Sequence, residues 1–178
     1  MNNDLLETFK NAKEWLNHAE SKNAMLIAFN GATIFGLVQF FDFEFITNSV
    51  FLTYYLVISI GLLVISLLLS FLSFIPKLKI VPSASHSNDL SEVNSLYFEH
   101  LKDLDRESIY KAITGFDPEQ DKNRIDLDLA EQIQQIAKIA SRKYMHFTIS
   151  VWITGGVLAV SLIAAIVVVM IQLSCNNF

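Results

Sequence analysis

Three long stretches of the chain contain no charged side chain, and the segments around them alternate polar and apolar residues with the spacing of a helix. The uncharged stretches are residues 23–41, 50–75 and 147–173. A helix needs about 20 apolar residues to cross the hydrocarbon core of a bilayer, and each stretch is close to that length or longer. The pattern therefore predicts three transmembrane helices.

The segments outside these stretches are predicted to be helical as well. No Gly or Pro separates the amphipathic start of the chain from the first stretch, so one helix is expected from near Asn3 through the first crossing. Asn88 or Asp89 can cap a second helix, and Asp105 can cap a third that Gly115 stops. A last helix is expected to run without a breaker into the third crossing. The predicted apolar stripes are Leu5, Phe9, Ala12, Leu16 and Ala19; Leu90, Val93, Tyr97, Leu101 and Leu104; and Leu129, Ile133, Ile136, Ala140 and Tyr144.

The placement of basic residues predicts the orientation. All 13 Lys and Arg lie in residues 1–22 or 76–146, so the positive-inside rule places the N-terminus and residues 76–146 in the cytoplasm and the C-terminus outside. Residues 76–146 carry ten basic and twelve acidic side chains, so nucleic acid is not an expected partner. The acidic N-terminus is not expected to be a cleavable signal peptide, and the sole cysteine, Cys175, allows no intrachain disulfide.

Together these patterns predict an all-α integral membrane protein. Three transmembrane helices are expected, with a small cytoplasmic helical bundle continuous with them. A hydrophobic content of 52% fits that class. The predicted segments are a cytoplasmic amphipathic helix (1–22), a first crossing (23–41), an external turn (42–49), a second crossing (50–75), a cytoplasmic helical domain (76–146), a third crossing (147–173) and an external tail (174–178).

Small and polar side chains are arranged on faces of the first crossing. Ala24, Ala28, Ala32 and Gly36 recur every fourth residue, a spacing that lets helix backbones approach closely, so this face is expected to contact protein. An amide in hydrocarbon is costly unless it is hydrogen-bonded. Asn30 is therefore expected either to join helices or to line a pore.

The second crossing carries hydroxyl groups along one face. Either they allow close helix packing, with each hydroxyl bonded back to its own helix, or they line water when several chains assemble. The crossings contain no Asp, Glu, Lys or Arg, which argues against a proton-coupled transporter or a voltage sensor. The stripe consists of Tyr55, Ser59, Ser66, Ser70 and Ser73.

The sequence contains no motif for catalysis or for cradling phosphates. Walker-type GxxxxGK[ST], GxGxxG, HExxH and GxSxG are all missing, and the four His are scattered. We therefore expect neither an enzyme nor a bound cofactor or metal.

Several short motifs stand out along the chain: AESKN (19–23) with LIAFNG (26–31), NSLYF (94–98), QI (132–133) and IASRKY (139–144). With these motifs the sequence resembles the Pycsar effector family, small membrane effectors of bacterial antiphage signalling. The related SLATT effectors are the nearest rival, but they are described as two-crossing proteins, and the third crossing counts against them.

The resemblance implies a mechanism. Phage infection makes a partner cyclase or nucleotidyltransferase release a cyclic nucleotide; the effector senses it, assembles into a homo-oligomer and impairs the bacterial inner membrane, which causes abortive infection. The implied partners are the lipid bilayer, other copies of the chain and the activating nucleotide. The residues carried over by motif are Glu20, Lys22, Asn23, Asn30, Gly31, Tyr97, Phe98 and Lys143.

No Gly-rich, Arg-containing cyclic-nucleotide-binding cassette is present, so a nucleotide site would have to form between helices. Lys22, Arg142 or Lys143 would then meet the phosphate, and Trp15, Tyr97 or Tyr144 would stack on the base. The expected ligand-binding set is Lys22, Asn23, Tyr97, Phe98, Arg142 and Lys143. The alternative function is a non-enzymatic membrane adaptor or structural protein whose cytoplasmic bundle docks a protein partner.

Overall fold

The computed structural model describes residues 2–43, 46, 48–75, 97–116 and 124–176. This described part is helical and contains no strand, so the all-α prediction is confirmed. Three of its helices are long and apolar enough to cross a membrane, as expected. The helices are α1 (Asn3–Gln39), α2 (Val50–Leu72), α3 (Phe98–Leu101), α4 (Arg106–Thr114) and α5 (Arg124–Asn176), and a 3-10 turn, Phe40–Asp42, follows α1.

The chain divides into two compact units. One, here called the apolar unit, consists of Asn23–Leu72 and His146–Phe178. The other, the polar unit, consists of Met1–Lys22 and Ser73–Met145. Helices α1 and α5 each contribute residues to both units, as expected from the lack of a helix breaker before the first and third crossings.

Buried positions along α1 are three, four or seven residues apart, which keeps them on one stripe of the helix. The predicted residues Leu5, Ala12 and Ala19 are fully buried, whereas Phe9 and Leu16 are half-buried. The stripe therefore follows the prediction over the polar unit. In the apolar unit its buried positions are Asn23, Leu26 and Asn30.

The core of the polar unit is built from α1, α3, α4 and α5. On α5 its buried face is centred on alanines rather than on the predicted Leu129 and Ile136, which are half-buried. Alanine at the contact lets two helix axes lie closer together, so larger neighbours are displaced to the edges. The core residues are Leu5, Leu101, Leu104, Ile109, Tyr110, Ala130, Ile133 and Ala137.

Helix α4 begins and ends where the sequence predicts. The Asp105 side chain accepts a hydrogen bond from the backbone N–H of Ser108 at 2.9 Å, which satisfies one of the unpaired donors of the first turn. Gly115 ends the helix with φ of 73°, a left-handed conformation in which glycine carries no Cβ penalty. Both predicted helix boundaries are confirmed.

The helix predicted from Asn88 or Asp89 through Leu104 is confirmed in its described part only over Phe98–Leu101. Tyr97 is extended, with φ −119° and ψ 116°, and only Phe98–Leu101 is helical before the chain turns. Helix propensity is a weak preference that tertiary context overrides, and here the chain packs Leu101 and Leu104 into the core of the polar unit. The proposed caps and the stripe residues Leu90 and Val93 lie outside the described residues.

Two further points concern the crossings, and one of them is a difference. Helix α2 ends at Leu72, three residues before the predicted Ile75, which precedes Pro76; residues before proline disfavour the helical conformation. The small-residue face of α1 is not covered by the described part of the chain, so its expected contact with protein stays a prediction. Ala24, Ala28, Ala32 and Gly36 are all exposed.

Candidate functional site

The apolar unit contains a buried polar junction where its three long helices meet. Asn30 on α1 donates from Nδ2 to Ser66 Oγ on α2, and Thr154 Oγ1 on α5 donates to Asn30 Oδ1, both at 2.9 Å. Ser66 Oγ also lies 2.9 Å from Thr154 Oγ1. Asn30 and Ser66 are fully buried. The amide of Asn30 is thus paired at both ends with the other two helices.

Ser66 and Ser150 join α2 to α5 directly. Each hydroxyl donates a hydrogen bond to the backbone carbonyl of the other residue. The distance from Ser66 Oγ to the Ser150 carbonyl oxygen is 2.9 Å, and that from Ser150 Oγ to the Ser66 carbonyl oxygen is 3.1 Å. A serine hydroxyl reaches a neighbouring backbone only when the two helices are close. The prediction that each hydroxyl bonds back to its own helix is therefore wrong for Ser66.

The other hydroxyls of the predicted stripe also face inward. Ser59, Ser70 and Ser73 are buried, and the half-buried Tyr55 hydroxyl lies 2.6 Å from Ser161 Oγ of α5. Ser70 Oγ and Ser73 Oγ have no hydrogen-bond partner among the described residues. The hydroxyl stripe is thus covered by the chain's own side chains.

The polar unit holds a ladder of aromatic rings between α1, α3 and α5. Phe98 stacks on Tyr144 with ring centroids 5.3 Å apart and 21° between the planes, and Trp15 contacts Phe98 at 5.6 Å. Tyr97 lies 5.3 Å from Phe98. Lys22 Nζ lies 5.1 Å from the centroid of Tyr144, a cation–π contact.

A basic residue beside this ladder is held by an acidic one. Lys143 Nζ donates to Glu20 Oε1 at 2.7 Å, and its side chain is 12% exposed. Both residues belong to the motifs quoted above, although they are 123 positions apart. Arg142, next to Lys143, has an exposed side chain.

A second ion pair ties α3 to the turn that follows it. Partial burial raises the pKa of the Glu99 carboxyl, but hydrogen bonds from Lys102 and Ser141, with the Lys102 charge, outweigh burial and hold it below its ordinary value. The hydrogen bond to Glu99 raises the pKa of Lys102. Both groups therefore stay charged near neutral pH.

The predicted ligand-binding residues fall into two groups. Lys22, Tyr97 and Phe98 lie on the aromatic ladder, and Lys143 is held beside it by Glu20. Asn23 is instead fully buried in the apolar unit, and Gly31 lies next to the junction residue Asn30 on α1.

Sequence reasoning missed Ser150 and Thr154, the α5 partners of the junction. Ser150 and Thr154 are four residues apart and so share a helix face, which is the one signal that could have marked them.

A groove of about 580 Å³ also opens between α1 and α5 in the polar unit. It is lined by Phe9, Lys13, Asp128, Glu131 and Gln132, among others. Two carboxylates face one ammonium there, a balance that disfavours an anionic ligand. The aromatic ladder with Lys22 is therefore the better candidate for a nucleotide. Among the residues that the structure describes, no three His, Cys, Asp or Glu side chains come together as a metal site.

One comparison with known proteins gives a match. The sequence model of a family described as the Pycsar effector protein domain matches residues 4–171, nearly the whole chain. No curated protein and no solved structure matches.

Proposed function

Because this chain belongs to the Pycsar effector family, it is a membrane effector of cyclic-nucleotide antiphage defence, and we propose that a cyclic nucleotide bound to its polar unit triggers it. The bound chain then assembles with further copies and impairs the bacterial inner membrane, which ends growth of the infected cell. It acts by changing the membrane and catalyses no reaction. The family match over residues 4–171 carries this proposal.

The aromatic ladder is our proposed nucleotide site. The Tyr144 ring has Phe98 on one side and the Lys22 ammonium over a face. A cation–π contact at an exposed site is worth only about 0.5–1 kcal/mol, so a base can replace Lys22 on the ring. Stacking of a base on an aromatic ring is worth about 1–3 kcal/mol. Lys22 then turns to the cyclic phosphate, where it forms a charge-assisted hydrogen bond.

Assembly is proposed to use the outward small-residue faces. The α1 face formed by Ala24, Ala28, Ala32 and Gly36 is exposed within the chain, and so are Gly155, Gly156 and Ala159 of α5. A Cβ built on Gly36, Gly155 or Gly156 would meet no atom within 4 Å. Such faces let helices of separate chains approach closely in lipid.

The proposed orientation follows the positive-inside rule. The N-terminus and residues 76–146 face the cytoplasm, where the nucleotide is made, and the C-terminus lies outside. Labelling of Cys175 by an impermeant thiol reagent in intact spheroplasts is expected to succeed. Labelling only after lysis would contradict the orientation.

Binding of cyclic mononucleotides to the purified full chain tests the proposed site. Isothermal titration with cAMP, cGMP, cCMP and cUMP is expected to find at least one that binds. Lys22→Ala should weaken that binding about tenfold or more, because a hydrogen bond to a charged group is worth about 1.5–3 kcal/mol. Lys10→Ala is the matched control, because Lys10 is also exposed on α1. Equal affinity of the two variants would refute the assignment of Lys22.

The second candidate function is a membrane adaptor that docks a protein partner. The mixed polar and apolar groove around Phe9 and Glu131 favours it, because such a surface suits a peptide better than a nucleotide. Co-purification of a stoichiometric partner from cells with intact membranes would support the adaptor.

A further inference from the structure

Hydroxyl side chains join α2 to α5 at two levels of the apolar unit. One level is the junction of Ser66 with Ser150, and the other is the contact of Tyr55 with Ser161. The two levels are eleven residues apart on both helices, from 55 to 66 on α2 and from 150 to 161 on α5. The helices are therefore antiparallel and in register, and the levels are separated by about 16 Å.

Further hydroxyls of α2 lie between the two levels and beyond one of them. Ser59 is buried one turn from Tyr55, and Ser70 is buried one turn from Ser66. Ser70 Oγ is completely buried, and it has no hydrogen-bond partner in the described part of the chain. A buried hydroxyl without a partner is costly, and a water molecule is what ordinarily satisfies it. The register also places the imidazole of His146 level with Ser70.

Apolar side chains interrupt the row of hydroxyls between its two levels. Leu63 lies between Ser59 and Ser66 on the buried face of α2 and is 0% exposed. Val157 of α5, level with Ser59 in the same register, is 6% exposed. A short apolar constriction in a polar path closes it to water by dewetting.

We propose that this seam, the row of Tyr55, Ser59, Ser66 and Ser70 with its α5 partners, is a proton path within a single chain, closed at rest by Leu63 and Val157. Successive hydroxyls stand one or two turns apart on α2, so water molecules between them are needed to complete the path. Each hydroxyl has one donor proton and acceptor lone pairs, so it accepts a proton from the water on one side and passes its own to the water on the other. The proton moves down its electrochemical gradient, and no bond is oxidised or reduced. A metal cation would need a full shell of oxygen ligands, which a row of single hydroxyls does not supply.

The seam specifies how the membrane would be impaired, namely by leakage of protons. Its opening by a nucleotide rests on the proposed function. Nucleotide binding would wet the constriction and collapse the proton gradient while larger solutes stay inside. Opening the constriction by mutation needs no nucleotide. The two ideas can therefore fail separately.

The test uses the full chain in liposomes that contain a pH-sensitive dye, with valinomycin to balance charge. Without nucleotide, Leu63→Ser is expected to raise the rate of proton entry about tenfold or more, which corresponds to a barrier lower by about 1.4 kcal/mol. Leu68→Ser is the matched control, because Leu68 lies on the same helix but is 53% exposed. Entrapped carboxyfluorescein should stay inside in both. Equal proton rates, or dye release by Leu63→Ser, would overturn the proposal.

A second pair of variants keeps the test decisive if Leu63→Ser does not fold. Val157→Ser opens the same constriction from α5, and Val160→Ser is its exposed control. Ser70→Ala, combined with Leu63→Ser, is expected to bring the proton rate back toward the wild-type value. Circular dichroism of each variant checks that helix content is unchanged. If every folded seam variant conducts like its control, the hydroxyls serve packing alone and the proposal is wrong.

Proton entry into liposomes that contain the wild-type chain separates this proposal from the proposed function. Addition of cAMP, cGMP, cCMP or cUMP to wild-type liposomes should raise proton entry, and Ser70→Ala should reduce that response. Conduction by Leu63→Ser with no response to any nucleotide would support the seam and count against the proposed function. Dye release triggered by a nucleotide, together with seam variants that conduct protons no faster than their controls, would support the proposed function and count against the seam.

Discussion

Ser66 and Ser150 exchange hydrogen bonds, each donating its hydroxyl to the carbonyl of the other across the contact between α2 and α5. The same Ser66 oxygen accepts from the Asn30 amide, which ties α1 to the pair. Lipid tails are as apolar as leucine, so burial of leucine gives membrane helices little reason to associate. Polar contacts of this kind therefore help close packing to hold the apolar unit together.

The junction predicts that removal of the Thr154 hydroxyl destabilises the protein more than removal of the Thr33 hydroxyl. Thr154→Val keeps the side-chain shape but removes the donor to Asn30 Oδ1, so the free energy of unfolding in detergent should fall by roughly 0.6–1.7 kcal/mol. Thr33→Val is the matched control, because the Thr33 hydroxyl donates to the Phe29 carbonyl of its own helix. Its effect should be near zero. Equal losses in the two variants would mean that the junction adds no stability.

The helix elements were predictable from sequence, because apolar runs, the Asp105 cap and the Gly115 stop are local signals. The partners of Asn30 were not. Which side chain 36 or 124 positions away faces the amide depends on the register between helices, and no local pattern encodes it. The aromatic ladder was partly foreseen, because Tyr144 and Tyr97 were proposed as stacking residues, but the extended backbone of Tyr97 was not.

The cap of α4 gives a prediction for the polar unit. Asp105→Ala removes the acceptor for the Ser108 N–H and should lower the free energy of unfolding by about 1 kcal/mol. Asp128→Ala serves as the control, because Asp128 is exposed within α5 and alanine is the better helix former there. Chemical denaturation followed by circular dichroism measures both. A loss in Asp128→Ala as large as in Asp105→Ala would contradict a capping role.

The Glu99–Lys102 pair predicts a dependence of stability on pH. The pKa of Glu99 is lowered, so its stabilising effect is present above its ordinary pKa of 4.5 and is lost as the pH falls through the lowered value. The pKa of Lys102 is raised, so its effect is present below its ordinary pKa of 10.5 and is lost as the pH rises through the raised value.

Glu99→Gln should therefore destabilise the protein between about pH 4.5 and pH 10.5 and have little effect in stronger acid. Both side chains are about a third exposed, so the loss should stay below about 1 kcal/mol. Glu107→Gln, at an exposed position of α4, is the control. Thermal unfolding across this pH range is the measurement, and a Glu99→Gln effect that does not vary with pH would rule the pair out as its source.

The most direct test of the central claim measures ion permeability while a cyclic nucleotide is added to the full chain in liposomes. We predict that at least one of cAMP, cGMP, cCMP and cUMP raises permeability in a saturable way. The concentration for half of the effect should rise about tenfold in Lys22→Ala and stay unchanged in Lys10→Ala. Permeability that no cyclic nucleotide alters, or an identical response in the two lysine variants, would contradict a nucleotide-triggered effector with its site on the aromatic ladder.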